Sequence, residues 1–408
     1  MTAPSERVRW GVVGMCFLAV LLDGFDAAAL AIAIPSLVPS WGVQAAAFTP
    51  ALVLTNIGVV AGYMLAGSLG ARFGTRRVLA ASVVLVGIGS LITAAVLPAH
   101  SIALLSVVRI VTGLGLGVVL PTAVTLATVH NPPRRRQLVS VAVTLGLASG
   151  GAVAGVFGGM LLRSIGVSGI FWLGGGLPLV LAVVMLMTLP RTAPAVAPST
   201  AAREAGVGRL FEPGMRSTTL LLWAFAFLVF IAAYTLQSWV PTLLTGFGFA
   251  PTDAPVGLAF LNIGGVVGGL VLLALAPRIG IAAALVVMPL FGVVAMVVAS
   301  TAGLGGTGLL LLLACAGAGI TAGQIGQLTL AVALYPEGSR TTGVGWAAAL
   351  GRIGSIVGPA LARVLLALAL PGSTIVLLTT IPVLVAALCA GVLWRRPRTT
   401  VEPVQVPT

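Results

Sequence analysis

Lysine is absent from this chain of 408 residues: all 21 basic residues are arginine, and only eight residues are acidic. Charged residues make up 7% of the chain against 59% hydrophobic ones, and the mean hydropathy is +1.17. A soluble domain carries about a quarter of its residues charged, so this shortage excludes an ordinary water-soluble fold. Cysteine is scarce as well. Cys16, Cys315 and Cys389 are odd in number and far apart, which excludes a disulfide framework and any metal signature of the usual spacing. The two histidines, His100 and His130, stand singly at loop ends and read as surface residues. The missing lysine itself reads as codon usage rather than physics.

What is present in quantity is apolar sequence. A span needs about 20 apolar residues to cross a bilayer. Twelve such runs are expected, at 10–33, 50–70, 78–97, 101–127, 137–163, 168–189, 217–246, 254–277, 280–301, 304–334, 340–368 and 372–394. The first follows Arg7 and Arg9 as a secretory signal would, but it is too long, lacks the usual cleavage site and precedes eleven more runs. A net charge of +13 would suggest nucleic acid in a soluble protein; here its placement argues otherwise. If the amino terminus is cytoplasmic, seventeen arginines fall in cytoplasmic segments, including Arg72, Arg76, Arg77 and the run Arg134 to Arg136. The outer loops 34–49, 98–100, 247–253 and 302–303 hold none. Such a bias sets orientation, with both termini inside and no nucleic-acid partner.

The chain repeats itself at half its length. At a shift of 206 residues, "NIGVVAG" (56–62) falls on "NIGGVVG" (262–268), "IPSLV" (34–38) on "VPTLL" (240–244), and "ARFG" (71–74) on "PRIG" (277–280). Six spans per half give both halves the same orientation, as parallel repeats about an axis along the membrane normal. The expected organisation is a six-helix bundle over 1–189, a Pro- and Ala-rich cytoplasmic linker over 190–216, and a second bundle with a short tail over 217–408. The fold class is an all-α integral membrane protein with a cavity between two bundles.

Only two acids, Asp23 and Asp26, lie inside a span; Arg109 and Arg352 lie inside facing ones. At about 1.5 Å per residue across a core of about 30 Å, the aspartates sit roughly 20–24 Å from the inner surface. Arg352 sits about 18 Å from that surface and Arg109 about 12 Å from the outer one. A charge at such depth costs about 2.5–3.5 kcal/mol, so two acids and two arginines should neutralise one another around a cavity. Spaced three apart, the aspartates share a helix face. In a partly dry site both do not ionise readily, which makes them a proton-binding pair rather than mere helix cement. Gly24 between them permits a kink. Arg163 and Arg363, nearer span ends, are expected to snorkel. Tyr234 with Gln237, Gln324 with Gln327, and Asn56 with its repeat partner Asn262 could hydrogen-bond a substrate or only a neighbouring helix. Phe25, Phe225, Phe227 and Phe230 could line a ring or pack helices. Trp41 and Trp239 read as interface anchors.

These residues resemble the major facilitator superfamily and, more narrowly, its aromatic acid:proton symporter family. "DGFDAAALAIAIPSL" (23–37) is similar to that family's first-helix signature, "RIVTGLGLG" (109–117) to its fourth-helix motif, and "YPEGSRTTGVGWAAALGRIGSIVGP" (335–359) to its region around the eleventh helix. "GSLGARFGTRR" (67–77) resembles the superfamily's loop 2–3 motif, with Gly67, Arg72, Gly74, Arg76 and Arg77 at its positions and Ala71 where an acid usually stands. The resemblance implies a bacterial inner-membrane importer of a small aromatic carboxylate, driven by protons through alternating access. It puts Asp23, Asp26 and Arg109 in proton coupling and the loop motif in conformational change. Arg352 is the expected carboxylate holder, through charge-assisted hydrogen bonds, with Tyr234, Gln237, Gln324, Gln327 and Asn56 as candidate substrate contacts. No cofactor or metal is expected, and the chain should work as a monomer within the lipid bilayer. The alternative is a drug:proton antiporter of the same fold; those carry a proline-containing motif on the fifth helix, where this chain has "GVFGG" (155–159). No nucleophile–base constellation suggests an enzyme.

Overall fold

A computed structural model of the chain describes residues 8–190 and 207–395. Apolar runs longer than a bilayer is thick can satisfy their backbone only as helices. The first half supplies α1 (Trp10–Trp41), α2 (Thr49–Phe73), α3 (Thr75–Val96) and α4 (Ile102–Val129). The continuous run Arg136–Thr188 turns a corner at Gly166, where φ is 70°, so it is two spans, α5 (136–165) and α6 (167–188). The second half supplies α7 (Arg216–Thr245), α8 (Val256–Ile279), α9 (Ile281–Thr301), α10 (Gly306–Leu334), α11 (Glu337–Ala367) and α12 (Gly372–Arg395), the last interrupted at Thr379. Twelve spans return the chain to the face where it began. We call that the terminal face and the opposite one the far face.

The first helix runs longer than its expected end at 33. It continues through Pro35 and Pro39 to Trp41, so most of the expected outer loop 34–49 is helical, followed by a short 3-10 turn at Ala45–Phe48. Proline inside a membrane helix is tolerated where neighbours satisfy the carbonyls it releases. Of the expected linker 190–216, residues 191–206 lie outside the described residues. Beyond them, Leu210 is buried, and its carbonyl accepts from the Thr219 hydroxyl at 2.8 Å.

The repeat is visible in three dimensions. α1 packs along α5 as α7 packs along α11, and α2 along α4 as α8 along α10. The turn after α2 uses Gly74 at φ 84°, ψ 134°; the turn after α8 uses Gly280 at φ 86°, ψ 149°. Left-handed φ there favours glycine, which explains why both copies keep one at the shift of 206. Between the bundles, α5 meets α8, α2 meets α11, and α1 meets α7.

The apolar core is not symmetric along the membrane normal. On the far face, Ile34, Leu37, Phe48 and Leu162 of the first bundle join Trp239 and Leu243 of the second in one continuous cluster. On the terminal face, the first bundle keeps a core of its own, around Val13, Cys16, Leu79, Leu126 and Met185. Trp239 is fully buried, and its indole N–H donates to the Pro359 carbonyl at 3.3 Å. It is therefore a core residue of the second bundle and not the interface anchor expected from sequence. Trp41 stacks against His100 at 5.4 Å.

Candidate functional site

The site begins with how α1 is seated. A side chain at Gly24 would collide with the Leu147 carbonyl of α5, and one at Gly150 with the Leu21 carbonyl of α1. The two backbones touch there because neither residue has a Cβ. Gly24 stays helical, and its use here is this close approach. The contact fixes the rotation of α1 and thereby the direction of both aspartates.

Those aspartates part company. Three residues on a helix are about 60° apart in projection, and that is enough to separate them. Asp26 turns into the first bundle, fully buried. Its carboxylate pairs with the Arg109 guanidinium at 2.9 Å, with side chains 1% and 0% exposed, and accepts from the Ser90 hydroxyl. Arg109 also donates from Nε to the Thr55 hydroxyl at 3.3 Å. Asp23 turns instead into a cavity. It is buried, and among the described residues no cation lies within ion-pair distance of it and no hydrogen bond reaches it.

That cavity lies between the bundles and encloses about 60 Å³. Asp23, Asn56, Tyr63, Tyr234, Gln237 and Arg352 supply most of its polar groups, with Thr55, Ser238 and the edge of Arg109; Leu30, Leu52, Val59 and Leu120 are among its apolar walls. Arg352 is half-buried and donates to the Tyr234 hydroxyl at 2.9 Å. Its guanidinium carbon lies 4.1 Å from the centre of the Tyr63 ring and 5.8 Å from that of Phe230. Cation–π contacts of this kind strengthen as water is excluded. No carboxylate of the described residues pairs with Arg352. Asp23 and Arg352 face one cavity from opposite bundles, close enough to act on each other electrostatically.

The other expected site residues divide. Asn56 lines the cavity, and its amide donates to the Leu52 carbonyl at 3.0 Å. Gln324 and Gln327 do not line it: Gln327 is buried inside the second bundle beside Gly351, its side-chain oxygen without a hydrogen bond. Gly67, Arg72, Gly74, Arg76 and Arg77 lie at the terminal face, remote from the cavity; Arg72 stacks on Phe73 at 5.2 Å and Arg76 donates to the Leu186 carbonyl of α6. Arg163 does not snorkel alone. It pairs with Asp253 at 2.6 Å on the far face, where α5 meets the turn before α8. Sequence reasoning missed Tyr63 and Ser90. The first had a signal, since it follows Asn56 by seven residues and so shares its face; a lone serine in a span carries none.

The family model described as Major Facilitator Superfamily matches residues 16–359. The 4-hydroxybenzoate transporter PcaK of Pseudomonas aeruginosa is 33% identical over 90% of this chain and 88% of its own length. The 3-(3-hydroxy-phenyl)propionate transporter of Escherichia coli K12 is 32% identical over 96% of this chain and 95% of its own. Among solved structures, the xylose transporter XylE of E. coli, in an inward open conformation, superposes with a TM-score of 0.75 at 16% identity, covering 96% of this chain and 97% of that one. The last likeness concerns the fold alone. The chain belongs to the Major Facilitator Superfamily: it is a multi-pass membrane transporter and not an enzyme.

Proposed function

We propose that this transporter imports a small aromatic carboxylate together with protons, by alternating access of the central cavity. One observation carries the reading. Arg352 without a carboxylate partner and Asp23 without a cation partner share one cavity, while Asp26 and Arg109 satisfy each other behind it. A substrate carboxylate binds Arg352, joined by the Tyr234 hydroxyl, whose own proton is free to donate because its oxygen accepts from Arg352. The carboxylate and an ionised Asp23 would then compete for one cation. Like charges about 5 Å apart at an effective dielectric near 20 repel by about 3 kcal/mol. Loading is therefore favourable when Asp23 carries a proton, and that requirement couples the two cargoes. Asp26 and Arg109 brace the site rather than exchange the proton.

The names of the relatives support the aromatic acid class. The shared apolar core on the far face, with the terminal-face core of the first bundle standing apart, supports a cavity that opens toward the terminal face. The arginine bias makes that face cytoplasmic and fits a bacterial inner membrane.

The test is uptake of labelled 4-hydroxybenzoate into proteoliposomes with an alkaline interior. The wild type should accumulate the acid above equilibrium. Asp23→Asn should bind it and exchange it across the membrane without accumulating it. Accumulation by Asp23→Asn equal to wild type would overturn the proton assignment.

A further inference from the structure

The cavity has a second end. Asn262 lies on α8, and its amide nitrogen donates both to the Leu258 carbonyl at 2.9 Å and to the side-chain oxygen of Gln237 at 3.3 Å. A backbone carbonyl only accepts, so the Asn262 atom facing it is the NH2 group. The same NH2 faces Gln237, so Gln237 must meet it with its oxygen. One backbone carbonyl thus fixes the orientation of two amides in series. What remains of Gln237 is its own NH2, which has no hydrogen-bond partner among the described residues, on a side chain that lines the cavity. Gln237 follows Tyr234 by three residues, about 4.5 Å along α7, and Tyr234 is the residue that holds Arg352. A ligand anchored by its carboxylate at Arg352 presents its other end to Gln237. Ser238, on the same stretch of wall, supplies a hydroxyl oxygen.

We propose that Asn262 is a positioning residue for ligand selection: it aims the Gln237 N–H at an oxygen on the far end of the ligand, favouring ring-hydroxylated over unsubstituted aromatic carboxylates. This rests on the transport reading above. The phenol oxygen accepts from Gln237 and its proton goes to Ser238. An unsubstituted ring leaves the Gln237 N–H facing carbon, which forfeits that bond. The seam between the bundles takes part. A Cβ on Gly151 of α5 would lie 2.8 Å from the Cγ, Nδ2 and Oδ1 of Asn262. The α5 backbone therefore covers this amide while the seam is closed, and the Gln237 donor is set in the same conformation that shuts the far face.

The experiment is calorimetric titration of the purified full-length protein with 4-hydroxybenzoate and with benzoate, for wild type, Asn262→Ala, Gln237→Ala and the double variant. Each single variant should lose about tenfold in the ratio of its affinities for 4-hydroxybenzoate and benzoate. The double variant should lose no more than Gln237→Ala alone, because one interaction has been removed twice. An unchanged preference in Asn262→Ala, or losses that add, would overturn the assignment. If Asn262→Ala does not fold, Gly151→Ala crowds the same amide without removing it and should lower the same ratio; an unchanged ratio there overturns the proposal equally. Failure of wild type to bind either acid would sink the transport reading and this assignment with it, whereas loss of the ratio effect alone leaves that reading standing.

Discussion

Asp26 and Arg109 share an ion pair that is fully buried. Removing one member of such a pair strands the other and costs about 3–5 kcal/mol. Asp26→Asn and Arg109→Gln should each lower the thermal midpoint of the purified protein, and the double variant should regain much of the loss. Asp23→Asn, which strands nothing, should leave the midpoint where it is. Equal melting shifts for the two aspartate variants would show that the carboxylates do not differ in this way. Tyr63 bears on Arg352 through its ring face and through its hydroxyl, so Tyr63→Phe should weaken binding of 4-hydroxybenzoate less than Tyr63→Ala. Tyr63→Ala should weaken binding by roughly 3- to 30-fold, the worth of about 0.5–2 kcal/mol of cation–π attraction. The four mid-membrane charges were legible in the sequence because depth follows from counting residues along a span. Their pairing was not. Asp23 and Asp26 share a face by spacing, and only the packing of α1 on α5 decides which of them reaches Arg109.

At the scale of the helix, hydropathy marked all twelve spans, and the corner at Gly166 falls between the expected runs 137–163 and 168–189. The sequence was least informative at the end of α1: the expected span stops at 33, whereas the helix runs through Pro35 and Pro39 to Trp41. Polar residues in α10 were legible as a shared face, but a helix buried among others hides which face meets the cavity, so Gln324 and Gln327 were grouped with residues they do not join. Close helix contact is equally invisible in one dimension. Gly14 and Gly24 lie in the same helix, yet a methyl group at Gly14 meets nothing within 4 Å while one at Gly24 strikes α5. Gly24→Ala should therefore destabilise by about 1–3 kcal/mol through overpacking, and Gly14→Ala should be neutral or stabilise by up to about 1 kcal/mol through helix propensity. Melting curves of the two variants, compared side by side, decide the point.

For the whole molecule, the seam of α5 on α8 sets the state of the far face. Its ion pair, Arg163 with Asp253, is exposed at 61% and 48%, and exposed pairs contribute at most about 1 kcal/mol. Its backbone contact is tighter: a Cβ at Gly155 would overlap Ala259 of α8. A cysteine at Ser238, in a background with Cys16, Cys315 and Cys389 changed to serine, reports access to the cavity. Labelling from the far face with an impermeant maleimide should rise strongly when Gly155→Val wedges the seam apart. With Asp253→Asn it should rise no more than about fivefold. A larger effect from Asp253→Asn than from Gly155→Val would reverse this ranking.

The volume of the central chamber has a kinetic consequence. About 60 Å³ is well under the roughly 150 Å³ of a dry cavity that admits benzene, so no arene enters until helices draw apart. Occupancy then waits on a unimolecular opening step. The observed association rate constant should level off as concentration climbs, far below the encounter limit, and the plateau measures how often the resting protein breathes.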